Sequence, residues 1–538
     1  MQKILKLSVI LALLCSLILF SSCSLFENDG AGHNFKVSLS SNPENLDPQI
    51  ADDHSSIAVA KNMFVGLVRS SGGRIVTGVA KDYLISSDGL KYTFYLDERY
   101  KWKTLGNFEG DVTAHDFVFA FRRLFDVKTE SPYASAYFCI SGAKQAYNGV
   151  IPLEKIGVKA LDDYTVEFTL EYQNADFLYL LSQLPASPCN EEFFELCKGK
   201  YGLEPENIAS NGAFYVKYWL YDKYNKSNYI RLIRNSLYSE INRVYPSGVT
   251  YLIDATEAEK LNNFTSETTD ALITQNNFSK LKELEYEYRQ YSNATYGIVF
   301  NINNEIFARR DIREVFALAI NRPELDSKLP QNLKPAYSVF PPDTVMPSGS
   351  PYESSFDKAL LEYNKITAEY RWNFLLTETE KTSLYNINIL VCDTFADNDK
   401  LRTISDSWYN AFGIHFGIEV VNKADYEKKI SSGDYDIVLA ELSPKNGDIF
   451  GYISDFGLSK TFGLTVSEVK TIEKTADKYN TLTAKHYDYL SAEKKIIEDY
   501  LFIPICHSSV YCFYAEDVAD FEYDPLTNII YFENAKCY

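Results

Sequence analysis

The sequence predicts a mixed α/β protein of several lobes, and three observations carry that expectation. The length of 538 residues is enough for about three domains at roughly 100–200 residues each. The composition, 46% hydrophobic and 23% charged, is that of a globular chain. Strand-like and helix-like periods intermix along it without a regular βαβ repeat, an internal repeat or a low-complexity tract.

The elements follow in order. Folded structure starts at 34–40, where Phe35, Val37 and Leu39 alternate with polar residues as in a strand. Lys91–Leu96 is a second strand, fed by an Asp88-Gly89 turn. A helix opens after Thr113, its expected N-cap, and Asp116 places a negative charge in the first turn although a capping box ordinarily uses Glu or Gln. Val166, Phe168 and Leu170 alternate after an Asp162-Asp163 turn and give a half-buried strand. A helix over 310–321 puts Ile312, Val315, Phe316, Ala319 and Ile320 on one face. Strands are expected at 387–391, 418–421 and 436–440, and helices at 404–412 and 490–500, the last running into an apolar stretch at 501–505.

The N-terminus reads as an export signal. Lys3 and Lys6 precede an apolar run from 7 to 20, the length of a secretory h-region and short for a membrane span. Leu19-Phe20-Ser21-Ser22-Cys23 resembles a bacterial lipobox, with Phe20 standing where that pattern usually has Leu. Residues 1–22 are therefore expected to be a lipoprotein signal peptide, Cys23 the lipid attachment site and 23–33 a polar tether. Acyl chains contribute about 0.8 kcal/mol per buried methylene, so two or three hold a protein stably at a bilayer. The other reading is an uncleaved signal anchor with Cys23 an ordinary thiol. Seven cysteines remain beyond Cys23, an odd number with no metal-type spacing. Cys189 and Cys197 could close a short loop, whereas Cys506 and Cys512 would sit about 20 Å apart on one extended segment. Buried thiols are the expected role.

Composition and motifs then narrow the function. With 53 Lys and Arg against 73 Asp and Glu the formal charge is −20, and no basic stripe exists to neutralise phosphates, which excludes a nucleic-acid partner. The chain holds no G-x-S-x-G elbow, phosphate-binding glycine loop or H-E-x-x-H pair. Its six histidines are scattered, so neither metal nor cofactor is expected. Asp52-Asp53 and Asp162-Asp163 read as turn residues before they read as an acid/base pair.

One set of motifs resembles a known family. In order they are Asn42-Pro43-Glu44-Asn45-Leu46-Asp47-Pro48, Phe64-x-Gly66-Leu67-Val68, S-S-D-G-L-K-Y-T-F-Y-L over 86–96, and Val112-Thr113-Ala114-His115-Asp116-Phe117-Val118. Ser131-Pro132-Tyr133-Ala134 and Ser210-Asn211-Gly212-Ala213-Phe214 follow, the latter with Ala213 where the family has proline. Phe300-Asn301, the run from Asp311 to Arg322, Ser432-Gly433-Asp434-Tyr435-Asp436 and Ile503-Pro504-Ile505 complete the series. Together they resemble the extracellular solute-binding proteins of oligopeptide and dipeptide ABC importers, the family 5 solute-binding proteins.

The resemblance implies a two-lobed, periplasmic-binding-protein-like fold of the type II peptide-binding cluster, with a hinge between lobes and an additional third domain. It places lobe I at 34–64, 211–292 and 511–538, the extra domain at 65–210 and lobe II at 293–510. It implies a monomeric, lipid-anchored, non-enzymatic receptor on the extracytoplasmic face of a bacterial cell membrane, delivering oligopeptides to the importer's permease subunits. In that family peptide backbones pair with strand edges, so binding tolerates sequence. Carried over by register, Asp52 and His54 fall where backbone atoms and an acid meet the peptide, and Tyr133 aligns with a contact tyrosine. A surface turn for 52–54 and core packing for Tyr133 are the alternatives. Relatives hold the peptide's terminal ammonium with an aspartate in a W-x-x-D-Y-type motif; this chain reads E-L-S-P-K-N-G-D over 441–448, and Asp448, or else Glu441, supplies the carboxylate. Within the fold, the alternative ligands are a metal-chelate, an oligosaccharide or a signalling peptide. A remote alternative is an extracellular hydrolase.

Overall fold

The structure is a computed structural model that describes residues 32–71, 74–174, 177–224, 228–239, 241–253, 256–275, 278–330, 332–342, 344, 352, 358–393, 398–442, 493–524 and 529–538. Apolar side chains gather into two large cores. The first draws on residues 35–271 and again on 510–535, and the second on residues 298–506. The chain therefore crosses between them twice, along the strands Glu287–Phe300 and Ile503–Tyr514, which pair with each other antiparallel. A small third cluster of Leu261, Phe264, Leu272, Leu281, Tyr511 and Phe513 lies beside the first.

Two four-stranded sheets build the first core. In one, Asn34–Ser38 pairs parallel with Gly248–Leu252, followed antiparallel by Tyr229–Arg234 and Phe214–Leu220. In the other, Ala80–Ile85, Lys91–Leu96, Thr165–Thr169 and Val158–Asp162 lie side by side, all antiparallel. The alternation expected at Lys91–Leu96 is met, since Tyr92, Phe94 and Leu96 are buried. The preceding turn needs a left-handed residue, which Gly89 supplies at φ 66° without a Cβ penalty. The helix Ala114–Phe125 packs on this sheet. Its entry corrects a detail of the sequence reading: Asp116 does the work of the usual Glu, accepting the Thr113 N–H at 2.7 Å.

The second core wraps a seven-stranded sheet in which Ala271–Thr274, Ile503–Tyr514, Glu287–Phe300, Ile437–Leu442, Asn388–Cys392 and Gly417–Val421 follow one another, with Leu333–Pro335 also pairing to Ile503–Tyr514. The last three of the main series run parallel to one another. Phe316 sits at its centre, ringed by Phe300, Phe307, Trp372, Trp408, Phe412 and Phe416 at centroid separations of 5.1–6.0 Å. Phe316 comes from the helix Arg310–Ala319, which is shorter than its apolar period suggested. Pro323 has no N–H to give the Ala319 carbonyl and its ring would clash there, so the first helix stops and Asn321 caps a new one, Arg322–Lys328, whose first turn accepts the proline. The described cysteines are all free, Cys189 and Cys197 included. No helix among the described residues is long and apolar enough to cross a membrane.

Candidate functional site

The first part of the site is a turn held from several sides. Asp47, from the L-D-P motif, is 2% exposed and takes a two-toothed ion pair from Arg123 of the helix Ala114–Phe125. Arg123 also donates to Gln49 Oε1 at 2.7 Å, and Gln49 donates in turn to the Pro185 and Ser187 carbonyls. Ser131 donates to the Gln49 carbonyl at 2.6 Å. Such paired buried charges fix geometry more than they add stability, and here the Arg123 Nε is left without a hydrogen-bond partner among the described residues.

This clamp presents the next residues outward. Asp53 caps the helix His54–Ala60, accepting the Ser56 N–H at 2.9 Å, while Asp52 and His54 on either side are exposed. Tyr133 is half-buried and donates its hydroxyl to the Ala51 carbonyl at 2.6 Å. Burial, with the charges of Asp52 and Asp53 beside it, pushes its phenol up to about 12. The structure thus brings Asp52, His54 and Tyr133 to one place. Asp448 and Cys23 lie outside the described residues.

The second part is the waist between the cores. Where the two long strands cross, Ser292, Ala294 and Thr295 face Ser509, Ser508 and His507, so polar side chains interrupt the apolar packing above and below. Register shifts at Ser292/Ala294, within this stretch, and at Tyr296/Gly297, just beyond it, bend the pair. Ser292, Thr295, His507, Ser508 and Ser509 are all buried. His507 reaches Thr295 Oγ1 through Nδ1 at 2.9 Å and Ser338 Oγ through Nε2 at 3.2 Å.

The third part lies level with the waist, because Leu442, last residue of its strand, pairs with Thr295. The parallel strands Asn388–Cys392 and Ile437–Leu442 end there, and the carboxyl ends of parallel strands are where α/β sheets take ligands. Glu441 stands directly across from Tyr296 on the same sheet face. Its carboxyl keeps solvent contact, yet the protein crowding it strips hydration and raises its pKa above the usual glutamate range, with Lys423 working the other way. Burial and the Glu441 charge together raise the Tyr296 phenol. No cluster of three or more His, Cys, Asp or Glu suited to a metal occurs among the described residues.

The waist residues were missed in the sequence. The available signal was His507-Ser508-Ser509, three polar residues inside an otherwise apolar run from Leu501 to Tyr514.

Residues 74–463 match the family model described as "Bacterial extracellular solute-binding proteins, family 5 Middle". The periplasmic oligopeptide-binding protein OppA of Salmonella typhimurium is 34% identical over 316 residues, 56% of this chain and 55% of that protein, so this match spans about half the length of the relative. A dipeptide-binding protein of Lactococcus lactis is 26% identical over 493 residues, 88% of this chain and 86% of its own length. Among solved structures, the murein tripeptide-binding protein MppA in its unliganded open form superposes with a TM-score of 0.75 at 22% identity, covering 94% of this chain and 98% of that one. Two cores joined by a strand pair, built from a sequence matched by the family over most of its length, make this chain a member of the family 5 bacterial extracellular solute-binding proteins.

Proposed function

We propose that the protein is the lipid-anchored receptor of an ABC importer, capturing oligopeptides between its two lobes and delivering them to the importer's membrane subunits. The observation that carries this reading is the near end-to-end likeness to a protein named for dipeptide binding. The geometry supports it. Two cores joined through a polar two-strand waist form a pair of bodies able to close on a ligand. The strand ends at Leu442 offer backbone for pairing with an extended chain, and main-chain pairing tolerates sequence.

In this reading lobe I comprises 34–64, 211–292 and 511–538, the extra domain 65–210 and lobe II 293–510. Asp52, His54 and Tyr133 contact the peptide from the clamped turn, and Asp448 takes its terminal ammonium, with Glu441 as the alternative acid. Cys23 carries the lipid and holds the protein at the outer face of the cell membrane. The role is binding without turnover. A second reading, the same fold with a non-peptide solute, is favoured by one feature: E-L-S-P-K-N-G-D over 441–448 lacks the Trp and Tyr of the family's ammonium-binding loop.

Native mass spectrometry of the soluble form starting at Ser24, followed by sequencing of whatever denaturation releases, tests the reading. A ladder of peptides of similar length and varied sequence is the expected result. A single non-peptide mass would replace the ligand and keep the fold.

A further inference from the structure

His507 plays no part in the ligand contacts proposed above, yet it sits where both long strands pass from one core to the other. Its side chain is 4% exposed. The hydroxyl hydrogen of Ser338 is committed to the Phe340 carbonyl at 2.8 Å, so toward the ring Ser338 can only accept. Nε2 therefore carries the ring hydrogen. Nδ1 is left bare and accepts from Thr295, which is wholly buried and whose hydroxyl has this as its one side-chain bond among the described residues. Both ring nitrogens are thus satisfied in one neutral tautomer, which ties the facing strand to the loop that follows Leu333–Pro335.

A second proton has one place to go, Nδ1. Taking it would turn Thr295 from donor into acceptor and strand its hydroxyl hydrogen in a buried site. Among the described residues, the ionisable and charged neighbours leave such a charge unanswered. Cys506 and Tyr296, next to His507 and Thr295 in their strands, point to the other sheet face, where Glu441 lies. Lys334, opposite His507 on the outer strand, has an exposed side chain. Arg322 donates to the Ala336 and Pro504 carbonyls and stands over the Tyr337 ring, with Asp326 near it. Glu493 accepts the Val339 N–H and the Tyr352 hydroxyl. None of these makes an ion pair with the imidazole, and burial alone lowers its pKa, to about 4.

We propose that His507 is a proton-sensitive positioning residue, whose neutral ring locks the waist and whose protonation unlocks it, so that the receptor releases its ligand in acid. The proposal rests on the receptor reading for its ligand and on the waist alone for its mechanism. Neutral His507 holds the strands and the 338 loop in one arrangement. Charged His507 loses the Thr295 hydroxyl, draws water into the junction and frees the two bodies to swing apart.

The test compares the wild-type chain with His507→Gln, which keeps hydrogen-bonding groups and cannot titrate in this range. Backbone hydrogen exchange over 292–297 and 505–509 is followed without ligand, corrected for intrinsic rates, and trialanine affinity is followed by calorimetry. Between about pH 7 and pH 4.5 the wild type should lose roughly tenfold in both protection and affinity, while His507→Gln changes in neither. Equal pH profiles in the two proteins would overturn the proposal. Differing exchange profiles with no trialanine binding would keep the waist mechanism and count against the peptide reading; flat exchange with good binding would do the reverse. Should His507→Gln fail to fold, ring nitrogen-15 spectra of the wild type decide. An Nε2–H tautomer that resists protonation to below about pH 5 supports the lock, and titration at the ordinary value removes it.

Discussion

Arg123 and Asp47 form a buried ion pair, Nη1 to Oδ1 at 3.1 Å with a second contact between Nη2 and Oδ2, that fastens the helix Ala114–Phe125 to the turn displaying Asp52 and His54. The pair joins a segment near the start of the fold to one 76 residues later, and Phe194 and Tyr201 stack on the guanidinium.

Asp47→Asn should therefore destabilise the protein by about 3–5 kcal/mol, because it leaves a buried guanidinium without its counter-charge. A urea titration followed by tryptophan fluorescence measures this. Asp47→Asn with Arg123→Met should recover part of the loss; a double variant weaker than the single would mean that the ring stacking on Arg123, not the ion pair, carries the stability.

Tyr133→Phe removes one hydroxyl that reaches the Ala51 carbonyl at 2.6 Å. The stability change should stay near 1 kcal/mol, while peptide affinity falls roughly fivefold as the turn carrying Asp52 loosens. Calorimetry with a tripeptide checks it, and an unaltered affinity would make Tyr133 a packing residue only.

Gly297 lies at the register shift just inside the second core, where an added Cβ would come within 2.3 Å of the Phe502 ring. Gly297→Ala should cost about 1–3 kcal/mol through displacement of that ring. Wild-type stability in this variant would show that the strand pair can slide enough to absorb a methyl group.

The pH dependence of stability follows from His507. Its folded pKa, about 4, lies below the ordinary 6.5, so the unfolded chain binds the extra proton over that interval. The contribution is complete above 6.5, falls away as the pH drops through 4 and amounts to about 3 kcal/mol. Denaturation midpoints measured across this range should slope less in His507→Gln than in the wild type; parallel slopes would assign the acid sensitivity to the carboxylates.

If the proposed anchor holds, Cys23→Ser should move the protein from the membrane pellet to the soluble fraction, since it removes the site of the acyl chains. Continued retention in the pellet would mean that residues 7–20 themselves are the anchor.

Much of the fold was legible in the sequence because alternation and helical period report burial directly. Lys91–Leu96 and the Phe316 face of its helix behave as their patterns require. The helix break at Asn321 was legible too, in Pro323, but the apolar period ran through it and masked the signal. The clamped turn was only half visible. The resemblance pointed to Asp52, His54 and Tyr133, but the contacts of Asp47, Gln49 and Arg123 span 74–138 residues, which no local pattern encodes. The waist was hardest, because Thr295, Ser338 and His507 each look unremarkable alone and acquire meaning only when two strands from distant parts of the chain are laid side by side.

The first core has a consequence for how the chain reaches its native state. Phe35 packs against Phe532 at 5.6 Å between ring centres, and Asn62 bonds the backbone of Ile530 and Phe532. The strand Asn34–Ser38, the first among the described residues, thus waits for a segment about 500 residues later before its surroundings are complete. Long-range closure of this kind slows folding and keeps apolar surface open while the chain is unfinished. A chain truncated before Ile503 lacks one strand of the waist and the seal on the first core, while most of the second core's residues are already present.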